Sequence, residues 1–129
     1  MVVDSSALLA LVFREPAADR IGQALARADL VAVGAATLAE TAIVLATRLG
    51  EDSRPLLAQV MEELNLTVFP FTAAHAREAR EAFLRFGRGR HPAGLNFGDC
   101  LSYAAAKLAQ QPLLFVGDDF RRTDLEPVL

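Results

Sequence analysis

Met1-Val2-Val3-Asp4-Ser5-Ser6-Ala7-Leu8-Leu9-Ala10 opens the chain. A short apolar run, an acid and then a stretch at helical spacing read as a buried strand that delivers one carboxylate into the start of a helix. The same alternation recurs onward. A helix is expected over 6–13, with Pro16 separating it from a second over 17–28 that carries Ile21 and Leu25. A strand over 30–33 leads to a helix over 36–49, closed by Gly50. That helix shows Leu38, Ala42, Leu45 and Leu49 on one face and Ala39, Ile43 and Ala46 on a second, so it is expected to be buried on two sides. Ser53 and Pro55 start a helix to 64, 66–69 is a strand, and Thr72 caps a polar helix to 86. A loop rich in Gly, Arg and Pro fills 87–97; a helix over 98–109 and a strand over 112–116 follow, with a short edge strand expected in the tail. Short apolar strands alternating with helices predict an α/β fold: a mostly parallel sheet of four or five strands flanked by helices.

The chain has 129 residues, 53% of them hydrophobic and 22% charged, which suits a single domain over 1–129 with a core that needs neither disulfides nor a structural metal. One cysteine cannot form an intrachain disulfide, and no Cys/His cluster has zinc spacing, so a reducing compartment is expected. The apolar stretches fall far short of the ~20 residues that span a bilayer. With no secretory pattern at the start, the chain reads as cytoplasmic, with no membrane partner. A formal charge of −3 excludes a protein that coats nucleic acid through overall positive charge; such binding needs a local patch.

Sixteen Asp and Glu stand against two His, one Cys and no Trp, so a catalytic site in this chain is built from carboxylates. Ligands of open α/β sheets gather outside the carboxyl ends of the strands. Asp4 follows the first strand there, Asp118 and Asp119 follow the last core strand, Asp99 begins a helix after the loop, and Glu40 lies one turn into its helix. Each has a competing structural reading. Asp4 and Asp99 suit helix N-caps, Thr37-Leu38-Ala39-Glu40 has the spacing of a capping box, and Gly117-Asp118-Asp119-Phe120 reads as a polar turn. Acids that meet in space repel one another unless a cation neutralises them. Oxygen-only ligation by one or two carboxylates and several waters suits Mg²⁺ or Mn²⁺, whose chemistry, an activated water and a stabilised phosphoryl charge, is that of phosphodiester hydrolysis.

The chain resembles the PIN-domain family, and within it the VapC toxins of type II toxin–antitoxin modules. The resemblance is carried by Val2-Val3-Asp4-Ser5-Ser6-Ala7-Leu8, Thr37-Leu38-Ala39-Glu40-Thr41, Gly94-Leu95-Asn96-Phe97-Gly98-Asp99-Cys100 with Tyr103-Ala104 and Ala106-Lys107, and Pro112 to Phe120 with Thr123-Asp124. It implies an α/β/α domain and an Mg²⁺- or Mn²⁺-dependent endoribonuclease whose acids are Asp4, Glu40, Asp99 and either Asp118 or Asp119, with Ser6 at the site. On this reading Asp4 and Asp99 ligate the main metal, and Glu40 and the fourth acid act through water or a second ion. It further implies a homodimer and a VapB-type antitoxin whose C-terminal segment lies across the groove and presents a basic residue to the acids.

Arg85, Arg88, Arg90 and His91 form the densest positive run in the chain and are candidates for RNA phosphate binding. His75 reads as a surface residue, Lys107 as a surface residue or the partner of an acid, and Cys100 as a small buried one. Phe13, Phe69, Phe83 and Phe115 are assigned to the core. The helices over 7–13 and 36–49 offer more apolar surface than one sheet face needs, so part of it is expected at an interface. A receiver-type signalling module would need an acidic pair at the first strand and a Lys after a late strand; a haloacid-dehalogenase-type phosphatase would need Asp-x-Asp where this chain has Asp4-Ser5-Ser6. A catalytically silent RNA-binding PIN domain is the main alternative, and the residues alone leave open a nuclease acting on DNA.

Overall fold

The computed structural model describes residues 1–129. Four strands, β1 (Val2–Val3), β2 (Ala32–Gly34), β3 (Thr67–Phe69) and β4 (Leu113–Leu114), form one sheet in the order β3-β2-β1-β4, with every pair parallel. Six helices fill the connections: α1 (Ser5–Val12), α2 (Ala18–Ala26), α3 (Ala35–Leu49), α4 (Arg54–Glu63), α5 (Ala73–Phe86) and α6 (Phe97–Ala109). A 3₁₀ turn at Phe120–Arg122 follows β4.

The alternation of side chains along each strand builds two cores. Val2, Ala32 and Leu113 point to one face, where they meet Tyr103, Ala105 and Ala106 of α6 and Ala82 and Phe86 of α5. Val3, Val33 and Leu114 point to the other, against Ala7, Leu8 and Ala10 of α1 and Ile21 and Leu25 of α2. The sheet is therefore a middle layer, the α/β/α arrangement expected. Leu113 and Leu114 are fully buried, and truncating either to Ala would cost about 2–5 kcal/mol. The expected fifth strand is a single parallel bridge, Leu113 to Pro127, with Leu113 N donating to Glu126 O (2.9 Å) and Val128 N to Leu113 O (3.0 Å). The proline has no N–H to extend the ladder.

Three packing expectations are corrected. Of α3, only Thr37, Thr41 and Leu45 are buried, while Ala39, Ile43 and Ala46 face outward and Ile43 is 67% exposed. The apolar surface of α1 is covered within the monomer, where Ala7 to Ala10 lie under the neighbouring helices. Phe115 is buried as expected, Phe69 and Phe13 are half-buried, and Phe83 is exposed, carrying the Arg90 guanidinium over its ring at 5.5 Å. Gly50 closes α3 in the left-handed conformation (φ 64°). His75 Nδ1 accepts from Thr72 N (3.3 Å), which starts α5. No helix is long and apolar enough to cross a membrane.

Candidate active site

The chain runs from β1 to β2 and β3 on one side, and β4 returns to the other side of β1, so the strand order reverses between β1 and β4. A crevice opens outside the carboxyl ends of parallel strands at such a reversal. Asp4 leaves β1 there and Val116 to Asp119 follow β4. The two strand ends are tied by Ser6, whose hydroxyl accepts from Val116 N (3.0 Å) and donates to Asp4 Oδ2 (2.5 Å).

Asp4 is both a cap and a site residue. It caps α1, accepting from Ser6 N at 3.0 Å, and it is only 4% exposed, held by Ser6 on Oδ2 and by the Ser102 hydroxyl on Oδ1 (2.5 Å). Asp99 likewise sits in a capping box, with Asn96 as the cap: Asn96 N donates to Asp99 Oδ2 and Asp99 N to Asn96 Oδ1, both 2.9 Å. Neither bond occupies Asp99 Oδ1. The capping box expected at Thr37 to Glu40 does not form. The chain enters α3 at Gly34, three residues early, which leaves Thr37 inside the helix with its hydroxyl 3.1 Å from Ser102 Oγ. Glu40 is thus freed from the helix end; Ser5 Oγ donates to its Oε1 at 3.4 Å, and its carboxylate lies against Gly98.

Electrostatics shows which acids act on one another. Burial pushes the Asp99 carboxyl up to about 6; the Asn96 N–H opposes this, and the charges of Asp4, Asp119 and Glu40 add to it. Glu40 is raised as well, by burial and then by Asp4, against the Ser5 hydroxyl. Four acids, Asp4, Glu40, Asp99 and Asp119, therefore share one field. Asp118 stands apart: its side chain is 86% exposed and pairs with Arg121 at 3.8 Å. Of the two adjacent acids, Asp119 is the one whose charge acts on Asp99.

Sequence reasoning assigned no role at the site to Ser102, whose hydroxyl lies behind Asp4, or to Gly98, whose bare Cα makes room for Glu40, and it offered Thr37 only as a cap. One signal was available for Ser102, since residues three apart on a helix share a face and Asp99 precedes it by three.

A divalent cation fits this donor set in kind: it is all oxygen, and Asp4 Oδ1 and Asp99 Oδ1 keep free lone pairs. No three Asp, Glu, His or Cys side chains stand close enough to form a ready-made cage. A full protein cage is not what Mg²⁺ requires, because it usually keeps several waters and takes one or two carboxylates. Cys100 is buried and its thiol is pushed up to about 11, first by burial and then by Asp99, so it is no thiolate nucleophile.

The basic run divides. The loop after α5 closes on itself beside the start of α6, with Arg88 N donating to Leu95 O (3.0 Å) and Leu95 N to Phe86 O (3.0 Å). Arg88 and Arg90 are exposed there. Arg85 instead pairs with Asp124 (3.3 Å) and lies over the Phe86 ring, and His91 accepts from Ala93 N (3.1 Å) and meets Phe86 edge-on. Arg85 thus ties α5 to the tail, and His91 braces its own loop. Lys107 takes the acid-paired option, 2.8 Å from Asp124.

Beside Glu40 and Gly98 runs an apolar groove of about 670 Å³, lined by Ala36, Ile43, Val44, Phe71, Phe97 and Leu101. Phe97 is 79% exposed.

A three-layer parallel fold with carboxylates gathered at its strand-order reversal defines a class of acid-centred α/β domains, and the comparisons with known proteins name it. The sequence model described as PIN domain matches residues 1–126. Ribonuclease VapC36 of Mycobacterium tuberculosis is 50% identical over 127 residues, covering 98% of this chain and 91% of that protein. Ribonuclease VapC of Mycolicibacterium smegmatis is 43% identical over 128 residues, covering 99% of each. The solved structure of the sarcin-ricin-loop-cleaving toxin VapC20 of Mycobacterium tuberculosis superposes with a TM-score of 0.77 at 20% identity, covering 96% of this chain and 95% of that one. A toxin–antitoxin complex from Klebsiella pneumoniae contains a similar fold, with a TM-score of 0.66 at 18% identity over 92% of this chain and 88% of that one. The chain belongs to the PIN-domain family, among the VapC ribonucleases.

Proposed function

We propose that this protein is an Mg²⁺- or Mn²⁺-dependent endoribonuclease that acts as the toxin of a toxin–antitoxin pair. The observation that supports the reading is the placement of Asp4 and Asp99 at the crevice outside β1 and β4, with Glu40 and Asp119 near enough for their charges to act on Asp99. Asp4 and Asp99 would hold the principal ion directly, and Glu40 and Asp119 would act through water or a second ion. When bound, the ion supplies an activated water and charge stabilisation at a phosphoryl oxygen. Ser6 keeps the Asp4 carboxylate oriented and links it to the end of β4. Arg88, exposed in the loop that precedes α6, takes a backbone phosphate of the RNA.

A VapB-type antitoxin is the partner that suits the apolar groove beside Glu40. Its apolar residues would cover Phe97 and Phe71, and a basic side chain would reach the acids. Two toxin chains are proposed to pair as well, on surface that leaves this groove to the antitoxin.

The test is incubation of the purified protein with total RNA in Mg²⁺, in Mn²⁺ and in EDTA, with the new 5′ ends mapped. Discrete cuts in either metal and none in EDTA support the reading; equal cleavage in EDTA overturns it.

A further inference from the structure

Ser102 stands in the one stretch of α6 that is buried on every side, from Cys100 to Ala106, where an alanine would pack as well. It is 1% exposed, Thr37 is 1% exposed and Asp4 is 4% exposed, so their polar atoms find their partners chiefly within the protein. All the same, no buried side-chain polar atom lacks a partner. The direction of the bonds follows from counting protons. Ser102 has one hydroxyl hydrogen, and it goes to Asp4 Oδ1, which can only accept. The contact of 3.1 Å between Thr37 Oγ1 and Ser102 Oγ must then use the Thr37 hydrogen. A directed chain therefore runs from Thr37 on α3 through Ser102 on α6 to the carboxylate at the end of β1.

The consequence lies in the lone pairs of Asp4. A carboxylate offers about four. Ser6 takes two on Oδ2, through its N–H and its hydroxyl, and Ser102 takes one on Oδ1. One is left, on Oδ1. We propose that Ser102, oriented by Thr37, is a positioning residue that fixes Asp4 so that a single Oδ1 lone pair is presented to a divalent cation. The inference rests on the proposed reading of Asp4 and Asp99 as cation ligands. It concerns two hydroxyls that touch neither substrate nor ion and act through Asp4 alone.

The experiment is calorimetric titration of Mn²⁺ into the wild-type protein and into Asp99→Asn, Ser102→Ala, Thr37→Val and Thr37→Ser, with the metal-free melting temperature of each. Outer hydroxyl partners of metal ligands are typically worth 10- to 100-fold in affinity. Ser102→Ala and Thr37→Val are expected to weaken Mn²⁺ binding about 10-fold or more, and Thr37→Ser, which keeps the donor, to stay near wild type. A purely structural role would lower the metal-free melting temperature and leave Mn²⁺ affinity unchanged. If Ser102→Ala does not fold, the Thr37 pair decides. Wild-type affinity in both Ser102→Ala and Thr37→Val, with Asp99→Asn impaired, overturns this inference and leaves the underlying reading intact. Failure of the wild type to bind Mn²⁺, or an Asp99→Asn that binds as tightly, overturns the reading itself.

Discussion

The carboxylate of Glu40 lies directly on the Cα of Gly98, so that a methyl group at position 98 would fall 2.5 Å from Oε2 and 2.8 Å from Oε1. Two elements far apart in sequence, α3 and the first turn of α6, are fitted to each other at an acid. Gly98→Ala separates fold from site. Replacing Gly by Ala within a helix gains about 0.5–1 kcal/mol, which offsets the cost of pushing a flexible carboxylate aside. The melting temperature is expected to stay within a few degrees of wild type while RNA cleavage drops by about 10-fold or more. Parallel melting and cleavage assays check this, and an active Gly98→Ala would remove Glu40 from the mechanism.

The raised Asp99 carboxyl sets the pH dependence of the metal-free protein. Between the unfolded value of 3.8 and the folded value of about 6, the folded chain keeps a proton that the unfolded chain has released. This contribution to stability is complete below 3.8 and is lost as pH rises through about 6. At full burial such a shift is worth about 3 kcal/mol; half-burial of Asp99 screens it to about 1–2 kcal/mol. Asp99→Asn, which keeps an acceptor for Asn96 N, should therefore be more stable than wild type by that amount at pH 7 and not at pH 4. Denaturant titrations of both proteins in EDTA measure it. Added Mg²⁺ should reverse the order at pH 7 by stabilising only the wild type.

Asp124 behaves in the opposite sense. Burial disfavours its ionised form, but Lys107 Nζ (2.8 Å), the Tyr103 hydroxyl (2.6 Å) and Arg85 (3.3 Å) overcome that and hold its carboxyl down to about 2. Its contribution is present above 3.8 and lost as pH falls toward 2. Lys107 lies eight residues beyond Asp99 on α6, about 12 Å along the axis. Tyr103→Phe should cost about 1 kcal/mol of stability and leave the cleavage rate unchanged, as chemical denaturation and a cleavage assay on the same preparation would report.

Arg88 and Arg85 are expected to part company in their salt dependence. Each phosphate contact to a single strand contributes about 0.7 to the slope of log affinity against log salt. Arg88→Ala should flatten the slope for RNA binding by about that much. Arg85→Ala, committed to Asp124, should lower stability and leave the slope alone. Binding isotherms of a catalytically inactive Asp99→Asn background across a salt series distinguish the two.

The strands and helices were legible because the sheet is buried on both faces and its helices are amphipathic, so period alone reports them. Asp4 and Asp99 were legible as well, since each stands where a strand or loop meets a helix. The capping box at Thr37 misled because its spacing is counted from the cap, and the chain enters α3 at Gly34. Asp118 and Asp119 are adjacent, and only the course of a turn in space decides which faces the crevice. Arg85 looked like a free cation because its partner lies 39 residues away. The bonds of Ser102 and Thr37 were silent for the same reason, since hydroxyls joined across 65 and 98 residues leave no local pattern, and only the i+3 spacing of Ser102 from Asp99 pointed to the site. The exposure of Ile43 and Phe83 depends on which helix face a neighbour covers, which periodicity does not state.

Whether the acid cluster holds a divalent cation for RNA hydrolysis is decided by single-turnover cleavage of one mapped RNA. Wild type and Asp99→Asn are compared in saturating Mg²⁺, in EDTA, and after Mg²⁺ is restored. EDTA is expected to abolish wild-type cleavage and restored Mg²⁺ to recover it, with Asp99→Asn slower by about 100-fold or more. Undiminished wild-type cleavage in EDTA, or an Asp99→Asn as fast as wild type, would contradict this.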